Sequence, residues 1–161
     1  MIRFISHRGN IDGPCTMENS QSLIEFSIYC GFDVEVDIWE EDGKLYLGHD
    51  KPTYDVDTEW LDTNRESLLC HAKNIEAGVV LEEMEMEWFA HSWDAFVSTS
   101  MGGIIIHPRA RLVPGCIIMM PEKRKKTMEF STAYGICSDY IELYRGVYQN
   151  VVSGHVTKDQ R

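Results

Sequence analysis

The chain has 161 residues, 43% hydrophobic and 25% charged, which excludes a disordered chain and is enough for one domain with a buried core. Its 15 Lys+Arg stand against 26 Asp+Glu, a formal net charge of −11. That balance argues against general nucleic-acid or anionic-membrane binding, which rests on an excess of Lys and Arg. An anionic ligand is left to a local positive site, built from a metal or a few placed cations.

Met1–Ser6 runs straight into a strand pattern over Ile2–Ser6, with no leader-like apolar core. No later run is long enough to span a bilayer, so a soluble, cytoplasmic protein without a transmembrane segment is expected. The five cysteines (Cys15, Cys30, Cys70, Cys116, Cys137) are odd in number, scattered and without a C-x-x-C pair. This argues against a disulfide framework and a structural zinc site.

After the first strand, Asn19 or Ser20 is the expected N-cap of a helix carrying Leu23, Ile24, Phe26 and Ile28 to a stop at Gly31. Phe32–Trp39 reads as the second strand. Glu41-Asp42-Gly43-Lys44 is a turn signal, and Leu45-Tyr46-Leu47 returns from it as a short hairpin. Ser67–Lys73 is the third strand, and Asn74 caps a helix containing Ile75, Val79, Val80 and Leu81. Short strands are expected at Trp88–His91, Gly103–His107, Cys116–Met120 and Tyr134–Ser138. Pro121 suits the first turn of a helix over Glu122–Phe130.

Trp93–Met101 has no clear pattern. One domain is expected over residues 1–150 and a loose tail over 151–161. Alternating strands and helices indicate an α/β fold with parallel strands, a TIM-barrel-like β/α barrel. With about seven to eight strands in place of the usual roughly 250 residues, it must be reduced, some helices being short or missing.

Period-two alternation in Phe32–Ile38 places Glu35 and Asp37 on one strand face and Val34, Val36 and Ile38 on the other. A helix-covered strand is normally apolar on both faces. Two neighbouring carboxylates call for a cation or protons, unless this is an exposed edge strand with a solvated acidic face. His71 and Lys73 share a face near the end of the third strand, and His7-Arg8-Gly9 ends the first. Singly, each histidine reads as a satisfied structural group. Together, three consecutive strands bring His7, Arg8, Glu35, Asp37, His71 and Lys73 to one rim, where β/α barrels keep their chemistry. Gly48-His49-Asp50 closes the hairpin and can fold His49 over that rim; as a surface turn it would do nothing.

Ser6-His7-Arg8-Gly9, Glu18-Asn19-Ser20, Asp33–Asp37 and Asp42–Asp50 together resemble, in order and spacing, the N-terminal signature of glycerophosphodiester phosphodiesterases. Lys73 is similar to the lysine of that family's acidic-x-Lys motif, and Gly135–Asp139 to its closing strand. The resemblance implies a divalent ion on Glu35 and Asp37, with His7 and His49 as the general acid/base pair. Arg8 and Lys73 would lie against the phosphate, and Glu18 and Asn19 would support the site.

His71 stands where the family has a third acidic ligand. As a ligand it would shift preference from Ca²⁺ toward Mg²⁺, Mn²⁺ or a softer ion; Mg²⁺ is the first expectation. The implied function is metal-dependent cleavage of a small phosphodiester through a cyclic intermediate. The alternatives are a lyase that stops at the cyclic product and a non-catalytic binder of phosphorylated alcohols.

His91 and Asp139 are further candidates for the rim. His107 and His155 read as bystanders, Glu122 as a helix-start acid, and Lys123-Arg124-Lys125-Lys126 as a solvated face. Trp39, Trp88 and Trp93 read as core area more than pocket lining.

Overall fold

A computed structural model describes residues 2–124 and 132–152. In chain order the elements are β1 (Arg3–His7), α1 (Gln21–Tyr29), β2 (Asp33–Glu41), β3 (Lys44–Leu47), β4 (Tyr54–Val56) and α2 (Thr58–Thr63). They continue with β5 (Leu68–Ala72), α3 (Ile75–Glu83), β6 (Trp88–Phe89), β7 (Phe96–Ser98), β8 (Ile104–Ile106) and β9 (Ile117–Met119). A one-turn 3₁₀ helix (Pro121–Lys123), β10 (Gly135–Ser138) and α4 (Ile141–Val152) complete the described chain.

The helix starts follow the sequence. Ser20 caps α1 by accepting from the Leu23 amide, and Asn74 caps α3 by accepting from Ala77. The Asn74 side chain also exchanges bonds with the Glu40 backbone, donating to its carbonyl (2.7 Å) and accepting from its amide (3.2 Å). This one residue therefore starts a helix and ties it to β2, satisfying groups that burial would otherwise penalise.

The strands form an open, mixed, mostly parallel ten-stranded sheet. β8, β9, β10, β1, β2, β5 and β6 lie side by side in that order, all parallel. β3 and β4 extend the far end of β2 as an antiparallel excursion, and β7 pairs antiparallel with β8. The closed ring of a barrel is not among the ladders. Between β6 and β7 the described residues share only single bonds, such as the Ser100 amide to the Trp88 carbonyl (2.8 Å).

Several expectations are corrected. α2 and α4, the latter running over Ile141–Val152, are helices that the sequence reading did not anticipate. In place of a helix from Glu122, a single 3₁₀ turn ends at Lys123 and Arg124 is extended. The rest of that expected helix, with Lys125 and Lys126, lies outside the described residues, as does His155.

Register decides what each face of the sheet does. Val34, Val36 and Ile38 are fully buried with Ile24, Leu61, Leu68 and Leu81, beneath the helices. Each such side chain contributes roughly 1.5–3 kcal/mol of burial. On the other face, His7 is opposite Glu35, Asp37 opposite His71, and His71 opposite Phe89. Below that row lies a second apolar cluster that includes Ile5, Leu69, Ile117, Met119 and Cys137. The carboxylates of β2 therefore rise from an apolar floor at the C-terminal ends of parallel strands, and the solvated edge-strand alternative is ruled out. No helix among the described residues is long and apolar enough to cross a membrane.

Candidate metal centre

The turn after β1 is shaped by left-handed backbone at Arg8 (φ 57°) and Gly9 (φ 87°), matched by Asn19 (φ 63°) on the returning chain. The Arg8 amide donates to the Glu35 carbonyl (2.8 Å) and the Asn19 amide to the Arg8 carbonyl (3.1 Å). Glycine is required at position 9, because a Cβ there would lie 3.0 Å from Leu23 Cγ in a conformation L side chains avoid. This turn aims His7, Arg8 and Asn19 at the two acids of β2.

Glu35 and Asp37 are 1% and 0% exposed. Asp37 is saturated. It accepts from Asn19 Nδ2 (2.9 Å), His49 Nδ1 (3.3 Å) and His71 Nδ1 (2.9 Å), and ion-pairs with Arg8 Nε (3.0 Å) and Lys73 Nζ (3.2 Å). Burial by itself would raise its pKa, but the bonds from His49 and His71 and the charges of Lys73 and Arg8 hold it well below the usual carboxylate range.

Glu35 is the opposite case. Burial first, then the neighbouring Asp37 charge, push its pKa up, and His7, His71 and Arg8 only partly offset them. Its Oε2 is buried with no hydrogen-bond partner, an expensive state for a carboxylate.

Glu35, Asp37 and His71 each offer a ligand atom within 4.8 Å of one another, and this group could hold a metal ion. The donor chemistry fits. The orphaned Glu35 oxygen has no hydrogen-bond partner, and His71 Nδ1 lies 2.9 Å from Asp37 and 3.6 Å from Glu35. That nitrogen carries a proton between the acids here; without the proton, its lone pair would meet a cation in the same place.

The two histidines expected at the rim are wired in opposite senses. His7 Nδ1 donates to Asp139 Oδ1 (2.7 Å), and its Nε2 faces Glu35 Oε2 at 3.8 Å. Burial disfavours its imidazolium, yet Glu35 and the bond to Asp139 outweigh this and raise its pKa. His49 instead receives a hydrogen bond at Nε2 from Arg8 Nη2 (3.2 Å). A guanidinium has no lone pair, so this Nε2 must be unprotonated, and Nδ1 holds the proton and donates it to Asp37.

Glu18 accepts from Arg8 and from Asn10, and Asn10 also donates to Asp139. Glu18 thus acts through Arg8 and Asn10.

All of the residues expected at the site come together: His7, Arg8, Glu18, Asn19, Glu35, Asp37, His49, His71, Lys73, His91 and Asp139. Arg8 and Lys73, expected against a phosphate, both turn to Asp37. His107, read as a bystander, lies against His91 (4.2 Å between rings), and His91 stacks on His71 (5.0 Å). Burial first, then His107 and His71, lower the His91 pKa to about 4. Their sequence signal was only the strand end on which each sits.

Trp39 braces the hairpin, donating to the Gly48 carbonyl (2.6 Å), while Trp93 is fully exposed.

These groups open onto a cleft of about 250 Å³, walled on the far side by Phe89, Pro108, Met119 and Met120. A larger groove of about 710 Å³ runs outside the sheet between α3 and the segment after β6; it shares His91 with the cleft and is also lined by Lys73. It lacks Glu35, His7 and His71, so the smaller cleft is the candidate site. No family model, no curated protein and no solved structure matches this chain.

Proposed function

We propose that the protein is a metal-dependent phosphodiesterase acting on a small phosphodiester, with a glycerophosphodiester as the leading candidate. The observation that carries this reading is the opposite wiring of His7 and His49 beside two buried carboxylates, one of which has an oxygen without a hydrogen-bond partner. Breaking a phosphodiester requires one proton to be removed and another delivered, with negative charge offset between them. A simple phosphate-binding module has no use for two oppositely prepared imidazoles. The side-by-side order of parallel strands, with the site at their C-terminal ends, supports a reduced β/α barrel as its scaffold.

A divalent ion on Glu35, Asp37 and His71, Mg²⁺ or Mn²⁺ by donor type, supplies charge neutralisation for the phosphate's non-bridging oxygens. The chain's own residues do the rest. His49 Nε2, unprotonated against Arg8, takes the proton of the attacking hydroxyl once the Arg8 guanidinium turns from it to the phosphate. The new oxygen–phosphorus bond forms as the bond to the leaving alcohol breaks. His7, held as imidazolium by Asp139 and Glu35, delivers a proton from Nε2 to the departing oxygen. If the attacker is a neighbouring hydroxyl of the substrate, the first product is a cyclic phosphodiester, which water then opens by the reverse proton traffic.

The test is turnover of bis-nitrophenyl phosphate and a panel of glycerophosphodiesters with added Mg²⁺, Mn²⁺ or Ca²⁺, products being followed by phosphorus NMR. Cleavage that a strong chelator stops is expected. Cleavage that the chelator leaves untouched defeats the metal-dependent reading, and absence of turnover on every substrate and ion defeats the enzyme reading. A cyclic end product identifies the lyase variant.

A further inference from the structure

An anion entering a chain of net charge −11 needs a cation that is not already neutralised. The two cations expected at the phosphate are both engaged. Arg8 binds Asp37 (3.0 Å) and Glu18 (3.1 Å), and Lys73 binds Asp37 (3.2 Å). Lys123, an exposed residue, also lines the cleft, with Arg8 and His49. Among the described residues it forms no ion pair within 4.0 Å; the acid that feels its charge is Asp139.

Its placement is built by its neighbours. Met120, buried at the end of β9, takes a left-handed conformation (φ 48°) that is unfavourable for a residue without a short polar side chain. Pro121 is buried and opens the 3₁₀ turn. Glu122 clamps that turn to the end of β10, accepting from Ser138 Oγ (2.8 Å) and from the Asp139 amide (3.2 Å). On the other side Arg124 donates to the carbonyls of His107 (2.9 Å) and Ala110 (2.8 Å). Lys123 is thus bracketed by two anchored residues, and the basic run beginning there is not one uniform solvated face. Arg124 is spent on the backbone, and Lys123 is exposed at the lining of the cleft.

We infer that Lys123 is the anion-receiving cation of the cleft, binding a phosphate group of the ligand. This rests on the phosphodiesterase reading only for the identity of the ligand; the binding itself requires no turnover. An ammonium on a flexible stem suits the task, since it can follow the phosphate as its geometry changes.

The test uses the full chain with inorganic phosphate as probe, titrated by calorimetry. Lys123→Met is expected to weaken phosphate binding by about tenfold or more, the worth of a charge-assisted hydrogen bond. Lys123→Arg is expected to retain it. Lys44→Met removes an equal charge from the exposed hairpin turn and is expected to leave binding unchanged. Phosphate binding by Lys123→Met equal to that of Lys44→Met overturns the inference, as does a wild-type protein that binds no phosphate. If Lys123→Met loses phosphate while the wild type cleaves no phosphodiester, the inference stands and the enzymatic reading falls. If phosphodiesters are cleaved with unchanged KM in Lys123→Met, the reverse holds.

Discussion

His7→Ala is expected to slow cleavage of an alkyl phosphodiester by roughly 10²–10⁴, the range contributed by a general acid or base. The loss should be far smaller with a nitrophenyl leaving group, which departs without a proton. The asymmetry follows from wiring. His7 holds its Nδ1 proton against Asp139 (2.7 Å) and has its imidazolium stabilised by Glu35 and that bond, so its role is to donate. His49, with Nε2 kept unprotonated by Arg8 (3.2 Å), acts on the attacking group, and His49→Ala should slow both substrates alike. Steady-state kinetics on matched alkyl and nitrophenyl esters distinguish the two. Equal losses for His7→Ala on both leaving groups would remove it from the donor's place.

Asp37→Asn carries the largest expected effect on stability. The carboxylate is fully buried and compensates Arg8 and Lys73 while taking hydrogen bonds from Asn19, His49 and His71. An amide of the same shape leaves Lys73 without its ion pair and Arg8 with Glu18 alone. Breaking a buried pair from one side costs about 3 kcal/mol here, the low end of the usual range because Arg8 and Lys73 keep some contact with water. That corresponds to a fall in Tm of about 10 °C for a chain of this size. Thermal denaturation of the two proteins at neutral pH measures it, and a variant as stable as the wild type would show that the cations find other partners at no cost. The Asp37 variant therefore confounds function with folding. Glu35 does not, since its charge is opposed by burial and by Asp37, and Glu35→Gln should fold as stably as the wild type.

Much of this site was legible because strand periodicity is a strict rule. Once Glu35 and Asp37 are two apart, they share a face, and parallel neighbours carry His7 and His71 to the same level. The caps at Ser20 and Asn74 were legible for a similar local reason, a side chain that satisfies the first free amides.

What lay hidden depends on contacts between segments distant in sequence. Nothing near Arg8 or Lys73 announces that both will turn to Asp37, because that choice is made by the geometry of three strands. His107 looked like a bystander since only the packing of β6, β7 and β8 brings it to His91. α4 escaped notice although Ile141, Tyr144 and Tyr148 recur at helical spacing and pack together against β1 and β10. Gly146 interrupts the pattern, and tyrosines are a weaker apolar signal than leucines. The reduced barrel was read from the alternation and number of strands, and among the described residues two-residue β6 and three-residue β7 form no ladder with each other.

Whether Glu35, Asp37 and His71 bind a divalent ion is settled by titration of Mn²⁺ followed by electron paramagnetic resonance, on wild-type protein and on Glu35→Gln verified to be folded. The wild type is expected to take up the ion, and the variant to bind it about 10²-fold more weakly or not at all, since a neutral amide leaves one anionic ligand in place of two. Equal uptake by the two proteins, or none by the wild type, would contradict that binding.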